Sequence, residues 1–212
     1  MNLLIDCTNG ISSDMVLTAL IQLGANEEKI GEQIQGLSLA DLSSHRSYQG
    51  IKNRLTLAPL AEGVGEKALR IYEAIAKAEA KVHGETLETV HFHEVGRDKA
   101  IAQIVGVATA IEDLGVEEIY CSALHDGTGS IECSHGVIPV PVPAVCAMKE
   151  QCDYDFGTDE IEMEMVTPSG LAVLIGLGAK KANHLEIPKD AKVGIGKGTR
   201  DTGRDGLKIT AW

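Results

Sequence analysis

From Gly65 to Val82 the side chains of Ala68, Ile71, Tyr72, Ile75, Ala78 and Val82 recur at three- and four-residue steps. That spacing places them on one stripe of an α-helix, and a long helix with a single apolar stripe must lay it on a core. Gly84 stops the pattern. A second stripe, Ile101, Ile104, Val105, Ala108, Ile111 and Leu114, closes at Gly115. Strand-like and helix-like runs surround these two helices. "NLLID" reads as a buried first strand. "SSDMVLTALIQLG" reads as a helix with a serine cap and a closing Gly24, and Asn26 caps a further helix bearing Ile30, Ile34 and Leu37.

The rest of the chain is strand-rich by pattern. "GIKNRLTLAPL" alternates around Leu55 and Leu57 and predicts a solvent-facing strand. "EEIYCSAL" predicts another strand. "IECSHGVIPVPVPAV" cannot be a central strand, because Pro139, Pro141 and Pro143 remove backbone donors. It predicts an extended edge or polyproline-like segment, with Pro143 opening a short helix. "DEIEMEMVTPSG" alternates acid with apolar and predicts a half-exposed strand, with a helix from Pro168. The tail predicts two strands around a Gly-rich turn. Strands and helices mix without regular alternation, so the expected fold is α+β: one domain over residues 1–212, a mixed β-sheet packed by helices.

Composition excludes several functions. Aromatic residues make up 3% of the 212 residues, too few for stacking platforms that grip single-stranded nucleic acid. The net charge of −12 comes without a basic run, so no duplex nucleic acid is expected as partner. The N-terminus lacks the basic and apolar regions of a secretion signal, and no apolar stretch reaches membrane-spanning length. Five cysteines without a C-x-x-C pair read as cytosolic thiols, so the expected location is cytoplasmic.

The chemistry concentrates in four places. In "HFHEVG", on an extended strand, His91 and His93 would face one side and Phe92 the core. Two imidazoles so placed suit a transition metal, with Glu94 as oxygen ligand or base; the plainer alternative is a solvated strand face. Asp6, Cys7, Asn9, Ser12 and Asp14 crowd the first strand–helix turn, where a crevice and a helix N-terminus favour ligands, although Ser12 or Ser13 could simply cap the helix. "GIGKGTRDTGRDG" offers amides with Lys197, Arg200 and Arg204 for a phosphate, but lacks the setting of a P-loop and reads better as a hairpin turn. Cys133 and His135 form one more spaced pair of candidate ligands.

Taken in order, "DCTNGISSDM", "HFHEVG", the stretch from Gly127 to Ala144, "EMEMVTPSG" and "GIGKGTRD" resemble the LarC-type nickel insertion family. The resemblance spans nearly the whole chain. It implies insertion of nickel into pyridinium-3,5-bisthiocarboxylic acid mononucleotide, driven with CTP, by a metal-chelatase-type lyase that leaves a metal–carbon bond flanked by two sulfur ligands. On it, His91, His93 and His135 would hold or relay nickel, and Cys7 could do so transiently as a thiolate. Asp6, Asp14 and Glu94 would serve the reaction, and Thr167, Lys197 and Arg200 the bound nucleotide. The family pattern also carries a His-rich stretch and a C-terminal nucleotide-binding domain. The chain is therefore expected to match the N-terminal half, with CTP bound by a domain that a separate subunit would supply. One departure stands out. Where the family's helix carries aspartates, this chain has Lys99 and Gln103, four apart on one helix face. A cation and an amide there should weaken a divalent site.

Three functions follow: a nickel insertase or its N-terminal component, a non-catalytic metal-binding or scaffold subunit, and an unrelated H-x-H metallohydrolase. The last ranks below the others, since a full barrel needs about 250 residues. The sequence leaves the oligomeric state, a homo-oligomer included, open.

Overall fold

Five strands form a mixed sheet in the order β7-β2-β1-β9-β8 in the computed structural model, which describes residues 1–39, 46–199 and 202–212. β1 (Asn2–Asp6) runs parallel to β2 (Glu118–Cys121), which runs parallel to the two-residue β7 (Lys180–Lys181). On its other edge β1 pairs antiparallel with β9 (Leu207–Ala211), and β9 with β8 (Lys192–Gly196). The sheet buries one face. Leu3, Ile5, Ile119, Cys121, Leu207 and Ile209 point into the core, as the two-residue period of a strand requires.

The helices lie against that face. α1 (Ser13–Gln22) packs on β8 and β9, and α4 (Val64–His83), α5 (Asp98–Asp113) and α7 (Pro168–Gly176) pack on one another beside it. α1 approaches β8 so closely that a Cβ on Gly196 would stand 1.8 Å from the Met15 carbonyl oxygen. The glycines that read as turn chemistry are thus partly packing chemistry. The α4 stripe is buried from Ala68 through Ala78, with Ala68, Ile71, Tyr72 and Ile75 fully covered, whereas Val82 at its end is exposed; Gly84 ends the helix at φ +66°. The mixed α+β architecture, the first strand, the capped α1 and the tail hairpin all agree with the sequence reading.

Four segments differ. Residues 48–57 form α3 (Tyr48–Leu57), not a strand. Ser47 caps it by accepting from Gly50 N, and the buried set is Tyr48, Ile51 and Leu55, a helical spacing; Leu57 is exposed. Among the described residues the "HFH" stretch makes one bridge, Ser47 to His91, and it is not part of a strand. "DEIEMEM" is irregular rather than a strand; the short strand lies just before it, β6 (Phe156–Thr158), parallel to β3 (Leu124–Asp126). The proline-rich segment begins as a two-stranded hairpin, β4 (Ser130–Cys133) and β5 (Gly136–Pro139), apart from the main sheet. Pro139 is tolerated because it closes β5. Pro143 opens α6 (Pro143–Met148), as expected.

Candidate functional site: two adjoining clefts

Phe92 fixes the loop that carries the histidines. It is 1% exposed and packs against Tyr48 and Tyr72, with ring centroids 6.5 Å and 5.9 Å away. The buried Tyr72 hydroxyl donates to the Val95 carbonyl at 2.9 Å, and burial pushes that phenol far above its ordinary value. The alternation inferred from sequence holds for Phe92 but not for both imidazoles. His93 turns into a cleft of about 460 Å³, whereas His91 remains outside it on the surface.

Two other imidazoles meet His93 there. His135 sits on the turn between β4 and β5, and its ring lies 4.3 Å from that of His93. His83, in the last turn of α4, lies 5.2 Å from His135 and 6.0 Å from His93. Cys133 adds a thiol, its Sγ 3.9 Å from His135 Nδ1. His83 Nε2 stands 3.4 Å from a Glu79 carboxylate oxygen. Burial raises the Glu79 carboxyl, and His83 and His135 draw it back only in part. His93 is held below the ordinary imidazole value, first by burial and then by His135, His83 and Arg46, with Glu94 opposing. Val82, Val95, Ile131, Ile138 and Val142 make much of the wall apolar.

Three imidazoles on one ion at bond lengths of about 2.0–2.1 Å would place their ring centroids roughly 4.5–5.5 Å apart. The observed separations bracket that range. The rings of His83 and His135 are stacked at 30°, however, so their nitrogens do not aim at one point. Among the described residues no three His, Cys, Asp or Glu side chains are already set to hold a metal ion. Closing around one requires side-chain rotation.

The second cleft, about 310 Å³, shares Glu94, Ala100, Glu164, Thr167 and Ser169 with the first. It forms where α1, α5 and α7 begin. Ser12 caps α1 and Thr167 caps α7, accepting from Gly170 N at 3.1 Å. Ile11 N bonds to Met165 O at 2.8 Å and Thr167 N to Ile11 O at 3.0 Å, zipping the two entry segments together. Ser13 Oγ lies 3.1 Å from both Gln103 Oε1 and Ser169 Oγ, so the third helix is tied in as well. Below, Asp126 Oδ1 accepts from the Met165 and Val166 amides at 2.9 and 3.0 Å and fixes the segment leading to Thr167.

Of the residues singled out from sequence, His93, Cys133, His135, Glu94, Asn9, Ser12, Asp14 and Thr167 line one or both clefts. Asp14 accepts from the Ser12 hydroxyl and, at 3.2 Å, from Thr199 N. Asp6 does not line either cleft. Burial would raise it, but bonds from Thr8 and the Lys208 ammonium at 3.4 Å outweigh that and hold the carboxyl below its usual value. Cys7 is 0% exposed, and burial, then Cys121 and Asp6, push its thiol well up, which disfavours the thiolate a metal needs. His91 and Lys197 are exposed and off both clefts. Arg200 lies outside the described residues. Lys99 and Gln103 line the second cleft and not the imidazole cleft. Sequence reasoning missed His83, Ser169 and Glu164, and took Ser13 only as a possible helix cap. His83 had one signal, its place four residues after Glu79 at the end of the α4 stripe.

An apolar cleft ringed by imidazoles and a thiol carries the donor types that suit a soft or borderline metal, and it joins a polar cleft at helix N-termini. The chain belongs to the nickel insertion protein family, whose model matches residues 3–45 and 40–210. It is 36% identical to the pyridinium-3,5-bisthiocarboxylic acid mononucleotide nickel insertion protein of Acetivibrio thermocellus, over 94% of this chain and 57% of that protein. The protein of the same description from Staphylococcus saprophyticus is 34% identical, over 94% of this chain and 56% of its own. A putative nickel insertion protein of Methanosarcina barkeri is 32% identical, over 95% and 56%. The chain thus spans about half the length of the curated relatives it matches. No solved structure matches it. No helix among the described residues is long and apolar enough to cross a membrane.

Proposed function

We propose that this chain is the nickel-handling, N-terminal component of an insertase that loads nickel into pyridinium-3,5-bisthiocarboxylic acid mononucleotide in the cytoplasm. The observation that carries the proposal is the meeting of His83, His93 and His135 in one cleft of a chain in the nickel insertion family. Neutral imidazoles bind Ni²⁺ well, and thiolate sulfur competes for it. Nickel here is cargo. A site that closes only after side chains rotate holds an ion weakly enough to release it to a sulfur-bearing substrate, and Cys133 offers a sulfur step on the way. Forming a metal–carbon bond displaces one ring proton, and Glu94, at the junction of the clefts, is the carboxylate placed to receive it.

In this reading CTP, which the family resemblance implies, is bound by a C-terminal domain or a separate subunit; Lys197, off both clefts, lends no support to a nucleotide site in the tail. The second reading, a non-catalytic metal carrier for such a partner, is favoured by the unclosed ligand geometry. Conversion of the precursor by this chain alone, with Ni²⁺ and CTP, would eliminate it.

Calorimetric titration with Ni²⁺ tests the site. His93→Ala with His135→Ala should lower affinity by about tenfold or more, equivalent to roughly 1.4 kcal/mol, and His91→Ala should leave it unchanged. Equal affinities in wild type and the His93/His135 variant would remove the imidazole cleft from nickel binding.

A further inference from the structure

The second cleft has the composition of an oxyanion site. Asn9, Ser12, Ser13, Ser169, Thr199 and Thr202 offer it an amide and hydroxyls. Two cations, Arg97 and Lys99, stand at its wall, both exposed. Among the described residues neither has a carboxylate within ion-pair distance, whereas Lys29, Arg54, Lys67 and Lys181 each hold one. In a chain of net charge −12, two cations on one cleft without a carboxylate partner among the described residues mark where a negative group is welcome. Backbone geometry adds to this. The first turns of α1, α5 and α7 all border the cleft, and Arg97 at the head of α5 makes no side-chain cap, so positive dipole ends converge there.

Of the carboxylates nearby, Asp14 alone belongs to this cleft and not to the other, against two cations. Asp14 is engaged by Ser12 and Thr199 N. Glu94 and Glu164 lie on the border shared with the imidazole cleft. Charge is therefore graded along the joined clefts. Glu79, imidazoles and apolar walls occupy one end, Glu94 and Glu164 the border, and two cations with hydroxyls and Asp14 the other. A ligand matching that gradient has an aromatic, metal-seeking end and an anionic end.

We infer that the cleft of Arg97 and Lys99 is the phosphate subsite for a pyridinium mononucleotide, directing the ring and its sulfur-bearing groups toward His83, His93 and His135. The placement of the ring rests on the nickel reading above; the phosphate subsite does not. Guanidinium and ammonium groups make charge-assisted bonds to phosphate oxygens. The reverse orientation would bring the phosphate to Glu79, which lines the imidazole cleft alone, and away from Arg97 and Lys99, which line only the hydroxyl cleft.

The test titrates the full chain with nicotinic acid mononucleotide and with nicotinic acid riboside, which lacks only the phosphate. The mononucleotide should bind about tenfold tighter or more. Arg97→Glu with Lys99→Glu should remove that advantage, leaving riboside affinity as it was and Ni²⁺ affinity not weakened. Both positions are exposed, and an unchanged melting curve confirms that the variant is folded. Equal binding of the two ligands, no mononucleotide binding at millimolar concentration, or wild-type mononucleotide affinity in the variant would each overturn the subsite. Loss of Ni²⁺ binding in the wild type, with phosphate dependence intact, would sink the nickel reading and leave the subsite standing.

Discussion

The imidazole cleft and the hydroxyl cleft share a wall but are built from different parts of the fold. His93 and His135 sit on a loop and on a hairpin turn outside the main sheet, and His83 on the last turn of a helix. The hydroxyl cleft is framed by the packed starts of three helices, zipped by Ile11–Met165 and Ile11–Thr167 backbone bonds. The first can rearrange at small cost to the core. The second cannot move without separating α1 from α7. The contrast suits a division of labour in which a rigid socket fixes an organic ligand and adjustable side chains pass it an ion.

The largest effect should come from the rigid side. A Cβ on Gly170 would stand 2.4 Å from Ile11 O, 2.6 Å from Ile11 C and 2.8 Å from Ser12 Cα, all backbone atoms. Gly170→Ala must push α7 from the α1 entry, an overpacking cost of about 1–3 kcal/mol or more. Urea denaturation should show that loss. Mononucleotide affinity should fall further than Ni²⁺ affinity in the protein that remains folded. Equal losses would mean that the two clefts do not differ in rigidity.

A smaller effect distinguishes neighbouring clefts from one continuous metal site. Lys99→Asp with Gln103→Asp brings carboxylates to the hydroxyl cleft, and nickel affinity should rise a few-fold at low salt through the long-range field. Salt should then erase the gain, since the screening length contracts to about 3 Å at 1 M. A gain that survives high salt would mean direct ligation. Lys99 and Gln103 would then belong to the metal site after all.

Periodicity carried the reading where an element packs by one face. The stripes of α4 and α5 and the buried β1 were legible because burial imposes their repeat. It failed where two periods fit the same letters. Leu55 and Leu57 suggested a strand, yet Ile51 and Leu55 bury together on α3 and Ser47 caps it. The same ambiguity misplaced "DEIEMEM", whose backbone is held by Asp126 and not by a ladder. For the site, the residue patterns found His93, Cys133, His135, Glu94 and Asp14, and the family resemblance found Thr167. The patterns included His91 because an i, i+2 rule needs a true strand, and among the described residues this stretch has a single bridge. They included Cys7 because sequence does not show burial. His83 escaped because it lies far from the other two in the chain, and only the packing of α4 brings it to them.

The smallest expected effect reads the imidazole cluster without any metal. Burial, followed by His135, His83 and Arg46, holds His93 below the ordinary imidazole value. In the unfolded chain His93 takes its proton at about pH 6.5. As pH falls through that value the unfolded state binds the proton first, so folding stability declines. Once pH passes the lower folded value both states hold the proton and the decline stops. This contribution is absent above pH ~6.5, where the imidazole is neutral in both states. His93 is exposed at the cleft, so solvent screens the effect and it should be modest. Urea midpoints for wild type and His93→Ala, measured without metal from about pH 8 down to about pH 5, isolate it as a difference. Wild type should lose more stability toward acid than the variant, whereas Arg97→Ala in the hydroxyl cleft should track wild type. If His93→Ala and wild type decline in parallel, the three imidazoles do not sense one another, and the distinction between an ion-binding cleft and a phosphate-binding one loses its electrostatic basis.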